Sequence, residues 1–348
     1  MSAPIKIGII GTGIFAYRHL RAYQAVGEDK FQAGIPKSAI YANFLDLIQD
    51  PNVEVVDVIV PIQYNKEIVN AAIAANKHVI IEKPIGKMTK LKGSRKTFLA
   101  HLAVLGSLAH NVESAREIVL AAREAKTVVA IAENWAYHPL VNTVADFVSK
   151  GGIGEIINFT YDSARPYNAN SPYLATKWRQ SPEHPGGYLS DGGVHDLAHL
   201  IPILGRFKAV SAFATKRHSI HAAEDTLATT IQLANGGVGV ANFTFCTADV
   251  KRMQLEVHGT TGTIRLVDDT HLEVLDASGK PASIDGLLNE AKKTKFEDVE
   301  GEMANLYDAI RNGAQLGITP DEAFHSLAFF AAALESVESR QVVELALV

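Results

Sequence analysis

The stretch Lys6–Gly13, with the sequence KIGIIGTG, decides the fold of the chain. Its apolar run has the length of a buried parallel strand and ends at a glycine turn that opens a predicted helix over 14–26. In the pattern Gly11-x-Gly13-x-x-Ala16, the first glycine permits a tight turn and the second lets the backbone approach a pyrophosphate. The small alanine lets helix and strand pack closely, and the helix N-terminus faces the phosphates. The stretch therefore predicts a dinucleotide-binding turn rather than a plain one.

Strand-like and helical segments alternate over the first part of the chain, which predicts an α/β fold with a doubly wound parallel sheet. The predicted strands are 5–10, 53–60, 77–81 and 128–132, and the predicted helices are 14–26, 43–49, 66–75 and 113–125.

From residue 134 onwards the pattern changes to strands separated by short turns, which favours a mostly antiparallel sheet. These strands are predicted at 156–161, 209–215, 228–233, 238–244, 253–258 and 263–267, and two helices follow at 303–312 and 323–338. We therefore predict a dinucleotide-binding domain over 1–133 and an α/β substrate and oligomerisation domain over 134–348.

The second strand that a dinucleotide-binding unit normally places beside the first is not apparent. After the first predicted helix, the chain runs from Gly27 to Pro36 without a β-branched run. Glu28 and Asp29 are acidic, as ribose ligands are, but they come too early and are more typical of a helix end. We therefore expect the second strand to be missing from the middle of the sheet, at a cost comparable to the whole stability of ~5–15 kcal/mol.

Lys83 lies where an α/β sheet places its ligands. In the sequence Glu82-Lys83-Pro84 it follows the predicted strand 77–81, and the carboxyl ends of parallel strands hold the ligand site. Beside a nicotinamide, a lysine in an apolar cleft can exchange protons with a substrate. A surface lysine paired with Glu82 is an equally good interpretation of the position alone.

Asp191 and His195 form an Asp-x-x-x-His pattern that leads into a predicted helix over 194–204. If the helix starts early, residues four apart share one face, and a carboxylate that contacts an imidazole sets its tautomer and raises its basicity. Such a pair suits an acid/base acting on a hydroxyl or carbonyl. The alternative is structural, with Asp191 as the helix N-cap and His195 as a packed polar residue. His195 and His199 also have the spacing of a metal pair, but no third ligand has convincing spacing, so we expect no metal.

Composition and charge exclude several classes of protein. The 348 residues are 47% hydrophobic, and the net charge of -5 argues against a nucleic-acid partner, because phosphates are bound mostly by Lys and Arg. Cys246 is the single cysteine, which excludes an internal disulfide framework and a cysteine-based metal site. The chain has neither a signal-type start nor an apolar run long enough for a bilayer, so we expect a cytoplasmic protein without membrane contact.

A series of short motifs runs along nearly the whole chain. In order, they are Gly11 to Ala16, Glu82 to Pro84, Glu133 to Pro139, Gly151 to Ile156, Trp178-Arg179, Gly186 to His195, His258 to Thr263 and Ala309 to Gly313. Each is unremarkable alone. As an ordered set they resemble the glucose–fructose oxidoreductase, inositol dehydrogenase and rhizopine catabolism (Gfo/Idh/MocA) family.

The resemblance implies a Rossmann domain followed by an α/β domain with an open sheet. It also implies NAD or NADP as cofactor, a sugar, polyol or related hydroxyl or carbonyl substrate, and a homodimer or homotetramer formed through the open sheet face. By position, Lys83, Asp191 and His195 match the family's catalytic lysine, aspartate and histidine, with His195 as the proton carrier. The residues that we assign to cofactor binding are Gly11, Thr12, Gly13, Ile14, Phe15, Pro61, Glu82, Lys83, Trp178 and Arg179.

Two departures from the family pattern are paired. The second strand is missing near Gln32, and an extra stretch of similar length, Gly86–Leu108, carries five Lys and Arg residues and no acidic residue. We interpret the pair as a gene-model error, with a skipped exon at Gln32 and a retained intron at Gly86–Leu108. The alternative is a real basic loop that binds a 2′-phosphate in place of the lost ribose contact.

Three functions remain open at this point. The first is an NAD(P)-dependent dehydrogenase or reductase acting on CH–OH groups. The second is a non-catalytic dinucleotide-binding regulator of the same fold, and the third is an inactive product of the faulty gene model. The presence of Lys83, Asp191 and His195 together favours the enzyme, because a binding module has no need of all three.

Overall fold

A computed structural model describes residues 3–32, 40–90, 110–166, 186–218 and 223–348. The glycine-turn stretch folds as expected, with strand β1 (Ile5–Ile10) leading into helix α1 (Ile14–Val26). Gly11 has a φ of 107°, and a Cβ atom there would lie 2.1 Å from the Ile59 carbonyl oxygen, so only glycine fits. Gly13 is the N-cap of α1 and provides no side-chain cap, which leaves the first amides of the helix available to a ligand.

The predicted parallel sheet is confirmed. The strands that follow β1 are β2 (Phe31–Gln32), β3 (Val55–Val58), β4 (His78–Glu82), β5 (Thr89–Lys90), β6 (His110–Asn111) and β7 (Val129–Ala132). Five strands pair in parallel in the order β2–β1–β3–β4–β7, and β5 pairs with β6 in a separate two-stranded sheet. The helices between them are α2 (Phe44–Gln49), α3 (Asn65–Ala74) and α4 (Glu113–Glu124). β3 and β7 are buried on both faces, as expected for apolar strands in a doubly wound sheet.

The second strand, expected to be missing, is present as the two residues of β2. Phe31 pairs with Ile5 and Gln32 with Lys6, so β2 lies at the edge of the sheet and leaves no gap in its middle. The other side of β1 pairs with β3 along the remainder of its length. The Phe31 ring is buried and packs against the rings of Tyr23 and Tyr307, which holds this short segment in place. The expectation was wrong because two residues without a β-branched side chain carry no strand pattern.

The second sheet is mostly antiparallel, as predicted. Its strands are β8 (Ile156–Pro166), β9 (Phe207–Thr215), β10 (Thr226–Leu233), β11 (Val238–Thr247), β12 (Arg252–Gly259), β13 (Gly262–Val267), β14 (His271–Asp276) and β15 (Val343–Glu344). They pair in the order β14–β13–β12–β8–β11–β10–β9–β15, and β8 with β11 is the parallel pair among them. Buried and exposed residues alternate along β10, so one sheet face is covered and the other is open.

Helices from the later part of the chain pack on both sheets. They are α5 (Pro139–Ser149), α6 (Gly187–Leu204), α7 (Asp285–Ala291), α8 (Asp298–Asn312) and α9 (Pro320–Ser339). α8 packs on α1 and completes the core around Ile5, Val55 and Ile80, while α9 contacts β9 and α6 as well as α4 and β7. Because α9 contacts both sheets, the packing of these helices does not mark a boundary between two domains. The boundary predicted after residue 133 stays a prediction.

Two further sequence expectations concern the extra basic stretch and the absence of a membrane-spanning segment. Of the extra stretch Gly86–Leu108, residues 91–108 lie outside the described residues. In the described parts of the chain, no helix is both long and apolar enough to cross a membrane.

We predict that Gly193→Ala destabilises the protein, because Gly193 sets the distance between α6 and α9. A Cβ atom at this position would lie 2.2 Å from Cζ of Phe330, whose ring is fully buried. Overpacking of this kind is expected to lower the free energy of unfolding by about 1–3 kcal/mol, measured by urea titration. The control is Gly286→Ala on exposed α7, where a Cβ atom meets nothing within 4 Å; it should be stabilising by about 0.5–1 kcal/mol. Equal stabilities of the two variants would contradict the packing argument.

Candidate active site

Lys83 and Asp191 meet at the carboxyl end of β4. The Lys83 ammonium donates to the Asp191 carbonyl oxygen at 2.6 Å and to its carboxylate Oδ1 at 3.2 Å. Both side chains are mostly buried, with 14% and 7% of their surface exposed. The sequence predicted both residues but not their contact. The alternative of a surface lysine paired with Glu82 is wrong.

Asp191 lies inside helix α6 and does not cap it. The helix begins at Gly187, with Gly186 as its N-cap, so Asp191 falls in the second turn and is buried. The N-cap alternative is therefore wrong. The glycine-rich start of this segment hid the helix from sequence analysis, because glycine is a poor helix former. Glycine is needed here because a larger residue at Gly193 would overlap Phe330 of α9.

The carboxylate that contacts His195 is Glu133, not Asp191. Nδ1 of His195 lies 2.5 Å from Oε1 of Glu133. Glu133 directly follows β7, is buried, and also accepts a hydrogen bond from the Trp135 amide at 3.1 Å. The sequence led us to expect that Asp191 sets the tautomer of His195; in the structure Glu133, from a neighbouring strand end, binds Nδ1 of the imidazole, and Asp191 binds Lys83. An acidic residue directly after a buried parallel strand was the available sequence signal.

The charges around Glu133 keep it ionised in a buried position. Burial by itself would raise the pKa of this carboxyl, but the charge and hydrogen bond of His195, the charge of Lys83 and the Trp135 amide hold the pKa below its usual value. The ionised carboxylate can only accept, so Nδ1 of His195 carries the hydrogen and donates it to Glu133. In the neutral imidazole this places the hydrogen on Nδ1 and leaves Nε2 as the acceptor.

The indole of Trp135 fixes the plane of the His195 ring. The two rings stack with centroids 5.1 Å apart and an angle of 21° between their planes. His199, one helical turn further along α6, stacks on the same indole at 4.8 Å, and the Arg165 guanidinium lies 4.9 Å from the indole centroid. The sequence placed Trp135 in a motif but assigned it no role.

A buried brace of polar residues joins α6 to strand β8. The Asp196 carboxylate accepts 2.6 Å hydrogen bonds from the Tyr161 hydroxyl and from Nη2 of Arg165. Burial and the Asp196 charge together raise the pKa of Tyr161, so its hydroxyl remains a donor. This brace holds the helix that carries Asp191 and His195 against the second sheet.

Most of the residues predicted to bind the cofactor belong to the described part of the chain. These lie at one edge of the parallel sheet, at the carboxyl ends of its strands. Gly11, Thr12, Gly13, Ile14 and Phe15 form the turn after β1 and the start of α1. Pro61 follows β3 and precedes a 3₁₀ turn at Ile62–Tyr64, while Glu82 ends β4. Trp178 and Arg179 lie outside the described residues.

The turn fits a dinucleotide. Gly11 brings the backbone close to the end of the neighbouring strand, and a Cβ atom at Gly13 would meet nothing within 4 Å, so ligand atoms have room there. The first amides of α1 carry no side-chain cap and can donate to phosphate oxygens. Among the described residues, no group of three or more His, Cys, Asp and Glu side chains has the arrangement of a metal site.

Comparison with known protein families assigns both halves of the chain. A model described as the oxidoreductase family NAD-binding Rossmann fold matches residues 5–92. A second, described as the oxidoreductase family C-terminal alpha/beta domain, matches residues 146–345, more than half of the chain. The chain belongs to the Gfo/Idh/MocA oxidoreductase family. The predicted family, the Rossmann fold and the NAD or NADP cofactor class are thereby confirmed.

Gfo/Idh/MocA relatives align over almost the full length. The uncharacterized protein YMR315W of Saccharomyces cerevisiae is 35% identical over 96% of this chain and 96% of its own length. The scyllo-inositol 2-dehydrogenase (NADP(+)) IolW of Bacillus subtilis is 22% identical over 98% and 96%. The structure of a levoglucosan dehydrogenase in complex with NADH superposes with a TM-score of 0.77, at 21% identity and with 99% of this chain and all of that chain covered.

We predict that Glu133→Gln destabilises the protein at neutral pH and that the difference from the wild type shrinks in acid. The pKa of Glu133 is lowered on folding, so its ionised form stabilises the fold above the unfolded pKa of about 4.3, and this contribution is lost as pH falls through the folded pKa. Loss of a charged hydrogen bond should cost about 1.5–3 kcal/mol at pH 7, measured by urea titration across pH. Glu124→Gln, on the exposed end of α4, is the control and should show no such change. A pH-independent difference for Glu133→Gln would contradict the ionised state.

Proposed function

We propose that this protein is an NAD(P)-dependent dehydrogenase or reductase that acts on a CH–OH carbon of a sugar, polyol or related substrate. The observation that carries the proposal is the presence of two carboxylate pairs, Lys83 with Asp191 and His195 with Glu133, at the edge of the parallel sheet that also carries the glycine turn. The names of the relatives, a scyllo-inositol dehydrogenase and a levoglucosan dehydrogenase, support a polyol or sugar.

The described residues at the edge of the parallel sheet would hold the cofactor. The turn Gly11–Gly13 and the first amides of α1 would bind the pyrophosphate. Glu82 and Lys83, at the end of β4, would lie beside the nicotinamide end. When bound, the nicotinamide supplies a hydride acceptor in oxidation and a hydride donor in reduction.

The proton of the substrate hydroxyl goes to His195 in oxidation and returns from it in reduction. Glu133 accepts the Nδ1 hydrogen, so Nε2 is the nitrogen that takes the proton, and the imidazolium that forms is stabilised by the same carboxylate. The Lys83 ammonium, held by Asp191, supplies positive charge toward the oxygen as it loses its proton. His195 thus exchanges the proton and Lys83 provides positive charge. Each has its own carboxylate partner, so that charge is compensated in a largely buried site.

The open face of the eight-stranded sheet supports the expected homodimer or homotetramer. Phe213 on β9 is 80% exposed, and Val238 and Val240 on the nearby β11 are 50% and 40% exposed. The strand register places these three side chains on one sheet face. An apolar patch on an otherwise regular sheet suits burial against a second copy of this chain.

The proposed activity is tested with the purified chain, NAD, NADP and a panel of polyols and sugars that includes scyllo-inositol. We expect one cofactor to bind and the absorbance of its reduced form to change with at least one substrate. His195→Asn should lower kcat/KM by about 10²- to 10⁴-fold without preventing cofactor binding, because the proton acceptor is lost. Lys83→Met should also lower it, by removing the charge beside the substrate oxygen.

The control is Lys150→Met, which removes a lysine that pairs with Asp146 on the surface of α5. It should leave kcat/KM unchanged. Cofactor binding without turnover of any substrate would favour the regulator. Activity that survives in His195→Asn would show that another group carries the proton.

A further inference from the structure

A buried cluster of charged residues connects helix α1 with the strand end that presents Lys83. Its centre is His19, which is fully buried. Nδ1 of His19 lies 2.9 Å from Oδ2 of Asp57 on β3, and Nε2 lies 3.0 Å from Oε1 of Glu82 on β4. The Tyr23 hydroxyl donates to the same Asp57 oxygen at 3.0 Å. No step of the proposed reaction uses these residues.

The His19 ring binds two carboxylates at once, which requires a donor on each nitrogen. Burial alone would lower the pKa of His19, but the charges and hydrogen bonds of Asp57 and Glu82 raise it well above its usual value. The doubly protonated ring therefore donates to both carboxylates. Asp57 alone satisfies the Nδ1 side of the ring, so the contact of Nε2 with Glu82 is a separate feature that needs its own explanation.

The backbone around Lys83 is held from the other side by Asn65. This residue begins α3 and is buried. Its side-chain amide lies 3.3 Å from the carbonyl oxygen of Glu82 and 3.4 Å from that of Pro84, the two neighbours of Lys83 in the chain. Lys83 is thus held in place through its two neighbours in the chain. The side chain of Glu82 contacts His19, and the backbone carbonyl groups of Glu82 and Pro84 contact Asn65.

We propose that His19 is a positioning residue for Lys83. By holding the Glu82 carboxylate it fixes the start of the lysine side chain relative to α1, the helix whose first turn faces the cofactor phosphates. Asp191 then fixes the other end of that side chain. This inference rests on the proposed function, in which Lys83 acts at the substrate oxygen.

Two substitutions at His19 separate its two contacts. The amide nitrogen of an asparagine can take the place of Nδ1, so His19→Asn retains the Asp57 contact and loses Glu82. The amide nitrogen of a glutamine reaches further and takes the place of Nε2, so His19→Gln retains Glu82 and loses Asp57. Both remove the same buried charge and should lower the thermal unfolding temperature to a similar extent.

The two variants are expected to differ in kcat. His19→Asn should lower kcat by about 10- to 100-fold with little change in the substrate KM, because misplacement of a catalytic group slows the reaction. His19→Gln should retain most of kcat. Tyr23→Phe is the matched control, since it removes a hydrogen bond of the same cluster without touching Glu82; it should lower stability and leave kcat unchanged. Equal kcat values in the two His19 variants, or a lower value in His19→Gln, would overturn the proposal.

A second measurement does not depend on turnover. Acetylation of Lys83 by acetic anhydride, followed by peptide mass spectrometry, reports how firmly its amine is held. Lys83 should be labelled faster in His19→Asn than in His19→Gln or Tyr23→Phe. If the His19 variants do not fold, Glu82→Ala, which removes the acceptor of the His19 hydrogen bond, replaces them and should label faster than Tyr23→Phe; equal rates would overturn the proposal. If the wild type turns over no substrate, the proposed function fails, and the labelling order still decides the role of His19.

Discussion

The contact between Lys83 and Asp191 is the interaction on which the arrangement of the site depends. It joins the end of a strand in the dinucleotide-binding sheet to a helix that packs on the second sheet. An ammonium group that is mostly buried has to be paired, and removing one partner of such a pair leaves an uncompensated charge. Helix α6 must therefore approach β4 closely. On its other contact, with α9, the same helix needs glycine at position 193, where a side chain would overlap Phe330.

The mostly buried basic side chains near the site follow one pattern. Lys83 has Asp191, His195 has Glu133, and His19 has both Asp57 and Glu82. In each case the carboxylate and the basic side chain come from different secondary-structure elements. Such pairs contribute little to net stability, because the cost of removing charges from water offsets their attraction. Their geometry is nevertheless constrained, since displacement of one partner leaves the charge of the other uncompensated. The fold thus holds several polar, mostly buried pairs close to one another.

The sequence predicted the parts of this molecule that depend on local pattern. β1, the glycine turn and α1 were predicted with their bounds, because apolar periodicity and glycine geometry act over a few residues. The catalytic candidates were named, but their partners were not: which carboxylate reaches His195 depends on how strand ends converge in space. The sequence did not predict β2 for a related reason. Phe31 is held by the rings of Tyr23 and Tyr307, which belong to other segments of the chain. Both failures concern tertiary contacts, which override local preference.

Helix α9 has a consequence for how the protein is made. From Ala323 to Ser336 every residue is buried, and the helix packs against α4 and β7 of the first sheet as well as against the second. Ribosomes deliver the chain from its N-terminus, so the parallel sheet is synthesised long before the helix that covers part of it. Until α9 has been made, that part of the apolar surface stays uncovered, and during this time chaperones can bind and aggregation competes with folding. The two halves of the molecule are therefore completed together, once α9 has been made, and not one after the other.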